Sequence, residues 1–174
     1  MVSDSIETGK NVQQAPKLRR SGVIEVNENL CLSCRECEVT CSLYHEDECN
    51  PALSRIRIEF NDFVPGAPTI TVCKQCDWPA CYYACASLWD EPAILIDEAT
   101  GARYIDPEKC KNCGACVKAC PLTPERAVIR SKKLNGKSVH YKCDLCRDRA
   151  EGPVCVDICP SDALKFVPAE ERSK

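Results

Sequence analysis

Residues 110–121 read CKNCGACVKACP. Cys110, Cys113 and Cys116 are separated by two residues each, and Cys120 follows three residues further on, directly before a proline. A loop with this spacing wraps its first three thiolates around one iron–sulfur cubane, while the fourth cysteine points away and ligates a second one. The stretch therefore predicts a small iron–sulfur fold that holds its clusters in pairs.

Related cysteine groups recur along the whole chain. Sixteen of the seventeen cysteines form four groups of four. In chain order the groups are Cys31, Cys34, Cys37 and Cys41; Cys73, Cys76, Cys81 and Cys85; Cys110, Cys113, Cys116 and Cys120; and Cys143, Cys146, Cys155 and Cys159. Cys49 alone is left over. We interpret it as a spare free thiol, because its neighbour Glu48 disfavours the thiolate.

Groups one, two and four depart from the pattern of group three. In group one Ser42 replaces the proline, and in group two the gap before Cys81 widens around Trp78. In group four, eight residues separate Cys146 from Cys155. Paired C-x-x-C motifs also bind structural zinc, which stays open as an alternative for an isolated group. Cysteines that pair across groups must share one kind of site, and group three favours iron–sulfur clusters.

The composition agrees with an interior built around clusters. The chain has 174 residues but only three Phe, two Trp and five Tyr. Binding of the clusters then contributes to folding, so we expect the metal-free chain to be largely unfolded. The formal charge is −3, and four oxidised cubanes with their thiolates would bring it to about −11. Nucleic acid is therefore excluded as a partner.

The first 22 residues are polar and of mixed charge, without the apolar segment of a secretory signal. Arg19 and Arg20 precede Ser-Gly and an interrupted apolar stretch rather than a hydrophobic run. No stretch approaches the length of a membrane span. We therefore expect a cytoplasmic protein with no membrane span of its own, in which a disulfide scaffold is disfavoured.

Short stretches with an apolar residue at about every second position predict strands. They cover residues 23–26, 56–60, 69–72, 94–96, 102–105, 127–130, 139–141 and 164–167. A glycine-containing turn joins the fourth and fifth in a predicted hairpin, and the basic run 131–137 is interpreted as a solvated turn. Helices have room for a single turn each, over 117–120 and 154–159. The predicted fold class is α+β with short strands and short helices.

Residues that would perform chemistry on a substrate are missing from the sequence pattern. His45 and His140 are too few and too scattered for an acid–base or metal constellation. Neither a G-x-G-x-x-G motif nor a P-loop motif occurs, which leaves nucleotide and flavin binding without support. We expect a protein that is not itself an enzyme and that transfers single electrons.

The surroundings of group three resemble a known family. Residues 93–97 (AILID), 100–106 (TGARYID) and 110–121, with four cysteine groups in this order, resemble the four-cluster iron–sulfur electron-transfer subunits of molybdenum and tungsten oxidoreductases. Dimethyl sulfoxide reductase, formate dehydrogenase and nitrate reductase have subunits of this kind. The resemblance covers about residues 23–167. It implies tandem bacterial 2[4Fe–4S] ferredoxin-like halves related by a pseudo-twofold axis.

The resemblance also implies a domain organisation. A polar N-terminal arm covers residues 1–22, the four-cluster ferredoxin-like domain covers 23–167, and a C-terminal tail covers 168–174. Within the domain, residues 23–60 and 138–167 form one half and residues 69–130 form the other.

In this family group one pairs with group four and group two with group three, a choice that the sequence alone leaves open. The resemblance implies four sites, and at each site four cysteines bind the irons of one [4Fe–4S] cluster. Their ligands are Cys31, Cys34, Cys37 and Cys159 at site 1; Cys143, Cys146, Cys155 and Cys41 at site 2; Cys73, Cys76, Cys81 and Cys120 at site 3; and Cys110, Cys113, Cys116 and Cys85 at site 4. All sixteen thiols are present, so we expect four [4Fe–4S] clusters.

A narrower resemblance concerns the segment after group one. Residues 41–45 (CSLYH), 50–51 (NP) and 54–56 (SRI) are similar to small subunits that accompany tungsten aldehyde oxidoreductase or the tungsten-dependent benzoyl-coenzyme A reductase of anaerobic bacteria. This implies a larger tungsten- or molybdenum-pterin catalytic subunit as partner. A further electron-transfer or flavin subunit and a ferredoxin are additional expected partners. The alternative is a freestanding polyferredoxin, or an electron carrier of a hydrogenase or carbon monoxide dehydrogenase.

Overall fold

The protein is built from four small antiparallel sheets and short helices. The computed structural model describes residues 18–60, 68–123 and 127–172. Within these ranges, every sheet has two strands. The strands are β1 Val23–Val26, β2 Ile56–Phe60, β3 Pro68–Val72, β4 Ile94–Ile96, β5 Arg103–Ile105, β6 Arg130–Leu134, β7 Lys137–Tyr141 and β8 Leu164–Val167.

Strand β1 pairs with β8 and so joins the beginning of the domain to its end. The register places Val23 opposite Val167 and Val26 opposite Leu164. Alternating apolar residues predict both strands, and the inward-facing Ile24 is fully buried. This long-range pairing positions the first cysteine group next to the last one.

The helices are α1 Glu36–Glu46, α2 Ala80–Ala86, α3 Ala115–Ala119 and α4 Val154–Asp157. Helix α1 packs against α4, and α2 packs against α3. The expectation of single-turn helices is wrong for α1, which has eleven residues, and for α2, which has seven. The span of α1 contains neither Pro nor Gly, and Glu36 and Glu38 in the first turn interact favourably with the helix dipole.

The second local correction concerns the basic hairpin. Strand β6 runs over Arg130–Leu134 instead of the predicted 127–130, and most of the run interpreted as a turn is strand. The turn is confined to Asn135 and Gly136, both with positive φ of 49° and 78°. An Asn-Gly pair is the typical centre of a two-residue hairpin turn, so local turn chemistry prevails over the polar character of the lysines. The predicted β4–β5 hairpin is confirmed.

The buried interior consists of two clusters in which cysteines take the place of large apolar side chains. The first contains Ile24, Ile56, Ile58 and Ile70 around thiols of groups one and four, together with Cys73. The second contains Ile94 and Val128 around thiols of groups two and three. The first cluster also includes β3, which pairs with β2.

The described part of the N-terminal arm lies against this body. Ser21 is fully buried and its hydroxyl accepts a hydrogen bond from Arg103 at 2.9 Å. Arg20 forms an ion pair with Asp77 at 3.1 Å. Residues 1–17 of the predicted arm and 173–174 of the tail lie outside the described residues. Among the helices of the described ranges, none is long and apolar enough to cross a membrane.

Candidate cluster-binding sites

Site 1 lies where the two ends of the domain meet. One cavity is lined by all four of its thiols, Cys31, Cys34, Cys37 and Cys159. Burial is the main cause that raises the pKa of Cys37 to about 12, followed by Glu38 and then the other three thiols. The β1–β8 sheet and the α1–α4 packing together position Cys159 beside the loop of group one.

The loop of group one turns its backbone toward its sulfurs. The amide of Ser33 donates a hydrogen bond to Cys31 Sγ at 3.4 Å. Ser33 and Arg35 have positive φ values of 58° and 63°, a left-handed conformation that allows such a tight loop. Helix α1 starts directly afterwards and carries Cys37 and Cys41, which are four residues apart and therefore on the same helical face.

Site 2 forms between α1 and α4. Burial raises the pKa of Cys155 well above its usual value, and Cys143, Cys41 and Cys146 raise it further because they lie close by. The amide of Arg55 donates a hydrogen bond to Cys41 Sγ at 3.3 Å. The four thiols expected at this site are thus brought together, and all four are buried.

Site 3 is a cavity between group two and the last cysteine of group three. Cys73, Cys76, Cys81 and Cys120 all line it. Packing of α2 against α3 brings Cys120 to the loop of group two. Burial raises the pKa of Cys81 to about 11, while the nearby charge of Lys142 opposes this increase.

Site 4 collects the remaining four thiols. Burial raises the pKa of Cys116 to about 12, and Cys81, Cys110 and Cys113 contribute to the increase. Cys85 belongs to the same buried cluster as Cys116. The loop of group three also receives a backbone hydrogen bond, since the amide of His140 donates to Cys110 Sγ at 3.3 Å.

The four sites follow one another in a series. Cys37 of site 1 is close enough to Cys155 of site 2 to raise its pKa. Cys73 of site 3 acts in the same way on Cys143 of site 2. Cys81 of site 3 acts on Cys116 of site 4. The thiols expected at sites 1, 2 and 3 meet in the first buried cluster, and those expected at sites 3 and 4 meet in the second. The exposed cysteines Cys34 and Cys113 belong to sites 1 and 4.

The chemistry of the lining residues fits an anionic group with a cationic metal core. Thiols that are buried together resist ionisation, and iron is the type of partner that holds such sulfurs as thiolates. At site 3 a buried positive charge also fits an anionic cluster. The cavity is also lined by Arg103, whose Nε and Nη2 are buried without a hydrogen-bond partner among the described residues. A cluster with its four thiolates has a net charge of about −2, which complements this cation.

A buried ion cluster borders site 2. His45 Nε2 lies 3.6 Å from Cys146 Sγ and 3.5 Å from Asp144 Oδ1. Arg55 Nη1 donates to Asp144 Oδ2 at 2.7 Å. Burial, assisted by the charge of Arg55, lowers the pKa of His45 to about 4. The imidazole next to Cys146 is therefore neutral at pH 7, and it packs inside the protein rather than in solvent.

Sequence reasoning missed the polar residues that separate site 2 from site 3. Gln75, Arg103 and Lys142 are all at least 98 % buried and line the cavity of site 3. Gln75 stands between Cys73 and Cys76. The sequence signal that could have identified it is its place as a polar residue inside a cysteine loop. Arg103, in strand β5, is revealed only by the fold.

Cys49 and Trp78, which the sequence also singles out, both lie at the surface. Cys49 is exposed and lies three residues beyond the end of α1. Trp78, inside the widened gap of group two, is 65 % exposed and stacks on Tyr83 with ring centroids 6.4 Å apart. Within the described ranges, no group of three or more His, Cys, Asp or Glu side chains is arranged to hold a single metal ion.

Family models match both parts of the chain that carry cysteines. The model of a 4Fe-4S dicluster domain matches residues 67–169. A second model, of a 4Fe-4S binding domain, matches residues 28–44. The two matches and the seventeen cysteines are consistent with four [4Fe–4S] clusters.

Two curated relatives match this chain over most of their own length. The polyferredoxin-like subunit of aliphatic sulfonate oxidoreductase from Pyrococcus furiosus is 41 % identical over 153 residues, covering 86 % of this chain and 79 % of the relative. The electron transport protein HydN of Escherichia coli strain K12 is 31 % identical over 147 residues, covering 77 % and 81 %. A solved BamBC active-site complex of benzoyl-coenzyme A reductase contains a chain with 23 % identity and a TM-score of 0.45, covering 86 % of this chain and 80 % of that one.

Proposed function

The chain belongs to the 4Fe-4S dicluster domain family, and from this membership we propose that it is the electron-transfer subunit of a cytosolic oxidoreductase. The proposed partner is a larger catalytic subunit that holds a tungsten- or molybdenum-pterin cofactor. Bound [4Fe–4S] clusters supply one-electron transfer. The chain itself contributes ligands, burial and charge.

The observation that carries this proposal is the continuous series of four thiol sets. Cys155, Cys143 and Cys116 each lie near a thiol of the neighbouring site, so no site is isolated. A structural metal would need only one such set. A series that runs between two exposed terminal cysteines is suited to conduct electrons across the molecule.

The ligand assignment is part of the proposal. Each site takes three cysteines from one group and the fourth from its partner group, as the cavities of sites 1 and 3 support. Groups one and four, and groups two and three, then form two ferredoxin-like halves within residues 23–167. Residues 1–22 and 168–174 flank this domain.

A non-catalytic role agrees with the surroundings of the sites. The two histidines contact different sites. The ring of His45 lies next to Cys146 and Asp144, whereas the backbone amide of His140 donates to Cys110. The names of the relatives agree, since they describe an electron transport protein and a subunit of an oxidoreductase. The reaction is therefore assigned to the partner subunit.

Anaerobic affinity purification tests this function. The tagged full-length chain is expressed in its native host, and the eluate is analysed for a larger chain and for tungsten and molybdenum. The untagged host serves as the control. We expect one of the two metals in a stable complex with the chain. A soluble, iron-containing monomer without either metal would contradict the proposal and favour the freestanding polyferredoxin.

A further inference from the structure

A buried cation, the ammonium group of Lys142, contacts residues of both site 2 and site 3. Lys142 lies between the last residue of β7, Tyr141, and Cys143, and is 2 % exposed. Its Nζ lies 3.5 Å from Cys73 Sγ, a thiol of site 3. The same ammonium donates to the carbonyl of Cys143, of site 2, at 2.9 Å. Lys142 therefore contacts residues of both sites.

The hydrogen bonds of Lys142 are largely duplicated by a neutral neighbour. The ammonium also donates to the carbonyl of Arg103. The amide nitrogen of Gln75 donates to the same two carbonyls, of Arg103 at 3.2 Å and of Cys143 at 2.8 Å. Since Gln75 already joins Arg103 of β5 to Cys143, the feature that Lys142 adds is a positive charge.

The charge of Lys142 is directed at the sulfurs of site 3, since it acts on Cys76 and Cys81 as well as contacting Cys73. No ion pair of Lys142 with an acidic side chain occurs in the described part of the chain. Lys142 also lines the cavity of site 3 together with Arg103, which adds a second buried cation there. In a buried environment charges are screened less than at the surface, so both cations act strongly on a group in this cavity.

We propose that Lys142 is a positioning residue that raises the reduction potential of the cluster at site 3. The inference rests on the proposed function, because it requires a cluster held by Cys73, Cys76, Cys81 and Cys120. Reduction of a cluster held there would add one electron without a proton, so the charge of the cluster and its thiolates would change from about −2 to about −3. A fixed ammonium stabilises the more negative state and so favours reduction.

The consequence concerns the middle of the series. Sites 1 and 4 are the exposed ends, whereas site 3 has two buried cations at an internal position. Site 3 then retains an electron more strongly than it would without Lys142.

The test is an anaerobic redox titration, followed by electron paramagnetic resonance, of the holoprotein and of Lys142→Met. Methionine keeps the length of the side chain and removes the charge. The signal of site 3 is identified as the one that changes in Cys76→Ser. We expect Lys142→Met to disfavour reduction at site 3 at least tenfold, which for one electron is a decrease of about 59 mV. The same substitution at the exposed Lys165 is the matched control and should leave that potential unchanged.

A second variant, Lys142→Arg, separates charge from structure, because it retains the positive charge. We expect its potential at site 3 to stay closer to that of the native protein than the potential of Lys142→Met. An unchanged potential in Lys142→Met would overturn the inference. Loss of iron in both variants would also overturn it, since Lys142 would then serve the fold. Absence of any site 3 cluster in the native protein would instead refute the proposed function on which the inference rests.

Discussion

At the scale of single residues, the fourth cysteine of each group is the proposed ligand that connects distant parts of the chain. Cys120 follows the loop of group three but lines the cavity of group two. Cys159 ends group four but lines the cavity of group one. Each site therefore depends on two separate segments, and loss of one such cysteine should affect the site of the partner group.

Serine variants test this cross-pairing. We expect Cys120→Ser to change the same paramagnetic signal as Cys76→Ser, because both residues line site 3. The variant Cys85→Ser should instead change the signal that is altered by Cys113→Ser. The exposed Cys49 provides the control, and Cys49→Ser should leave every signal intact. If Cys120→Ser altered the Cys113 signal and left the Cys76 signal unchanged, the ligand assignment would be wrong.

At the scale of elements, the turn of the β4–β5 hairpin depends on one carboxylate. Asp97 Oδ1 accepts hydrogen bonds from the Thr100 amide at 2.7 Å and from the Thr100 hydroxyl at 2.6 Å. The hydroxyl is the main cause that lowers the pKa of Asp97. The amide of Gly101 donates to the Asp97 carbonyl at 2.8 Å, which closes the turn.

We expect Asp97→Ala to destabilise this hairpin by about 1 kcal/mol, because the turn loses two hydrogen bonds to an ionised acceptor. Amide hydrogen exchange of β4 and β5 measures the effect and should become faster. Since folding lowers the pKa of Asp97, the stabilisation is present above its unfolded value of about 4 and is lost as the pH falls through the folded value. Asp97→Asn keeps an acceptor and should have a smaller effect. Equal exchange rates in all three proteins would contradict this role.

The predictability of the elements follows the range of their contacts. The β4–β5 hairpin and the strands β1 and β8 follow from local alternation, and the sequence indicates them correctly. The pairing of β1 with β8 depends on contacts between the two ends of the chain, which alternation does not specify. Helix α1 exceeds its predicted length because the cysteine pattern indicates where a helix starts after the loop but not where it ends.

The sites follow the same rule. Spacing identifies the three cysteines of each loop, because a loop is local. The fourth cysteine was assigned from a family resemblance. Gln75 and Lys142 escaped the sequence analysis because a polar residue beside a cysteine is usually solvated. Their burial results from the packing of β5 and β7 near the loop of group two.

At the scale of the whole molecule, charge is distributed unevenly. Residues 107–141 contain eight Lys and Arg but two Asp and Glu, whereas the full chain has 23 and 26. Lys111 and Lys137 are exposed and line one groove with Cys110 of site 4, where Glu108 is the one acidic lining residue. The exposed surface around site 4 is thus basic in a protein whose net charge is negative.

This distribution predicts that an acidic ferredoxin exchanges electrons with the protein at site 4. We expect the double variant Lys111→Glu and Lys137→Glu to lower the second-order rate of reduction at least tenfold at low salt, because complementary charges accelerate association. Stopped-flow absorbance measures the rate, and added salt should reduce the difference. Lys165→Glu, at an exposed lysine of β8, is the control. Equal rates for the double variant and this control would refute the prediction.

Sixteen cysteines that hold four cubanes in series fix the iron and sulfide content of the protein. Iron and acid-labile sulfide analysis of the anaerobically purified protein, combined with Mössbauer spectroscopy, measures this content. We predict about sixteen irons and about sixteen sulfides per chain, all in [4Fe–4S] clusters. A colourless protein that contains zinc and no iron would contradict the account.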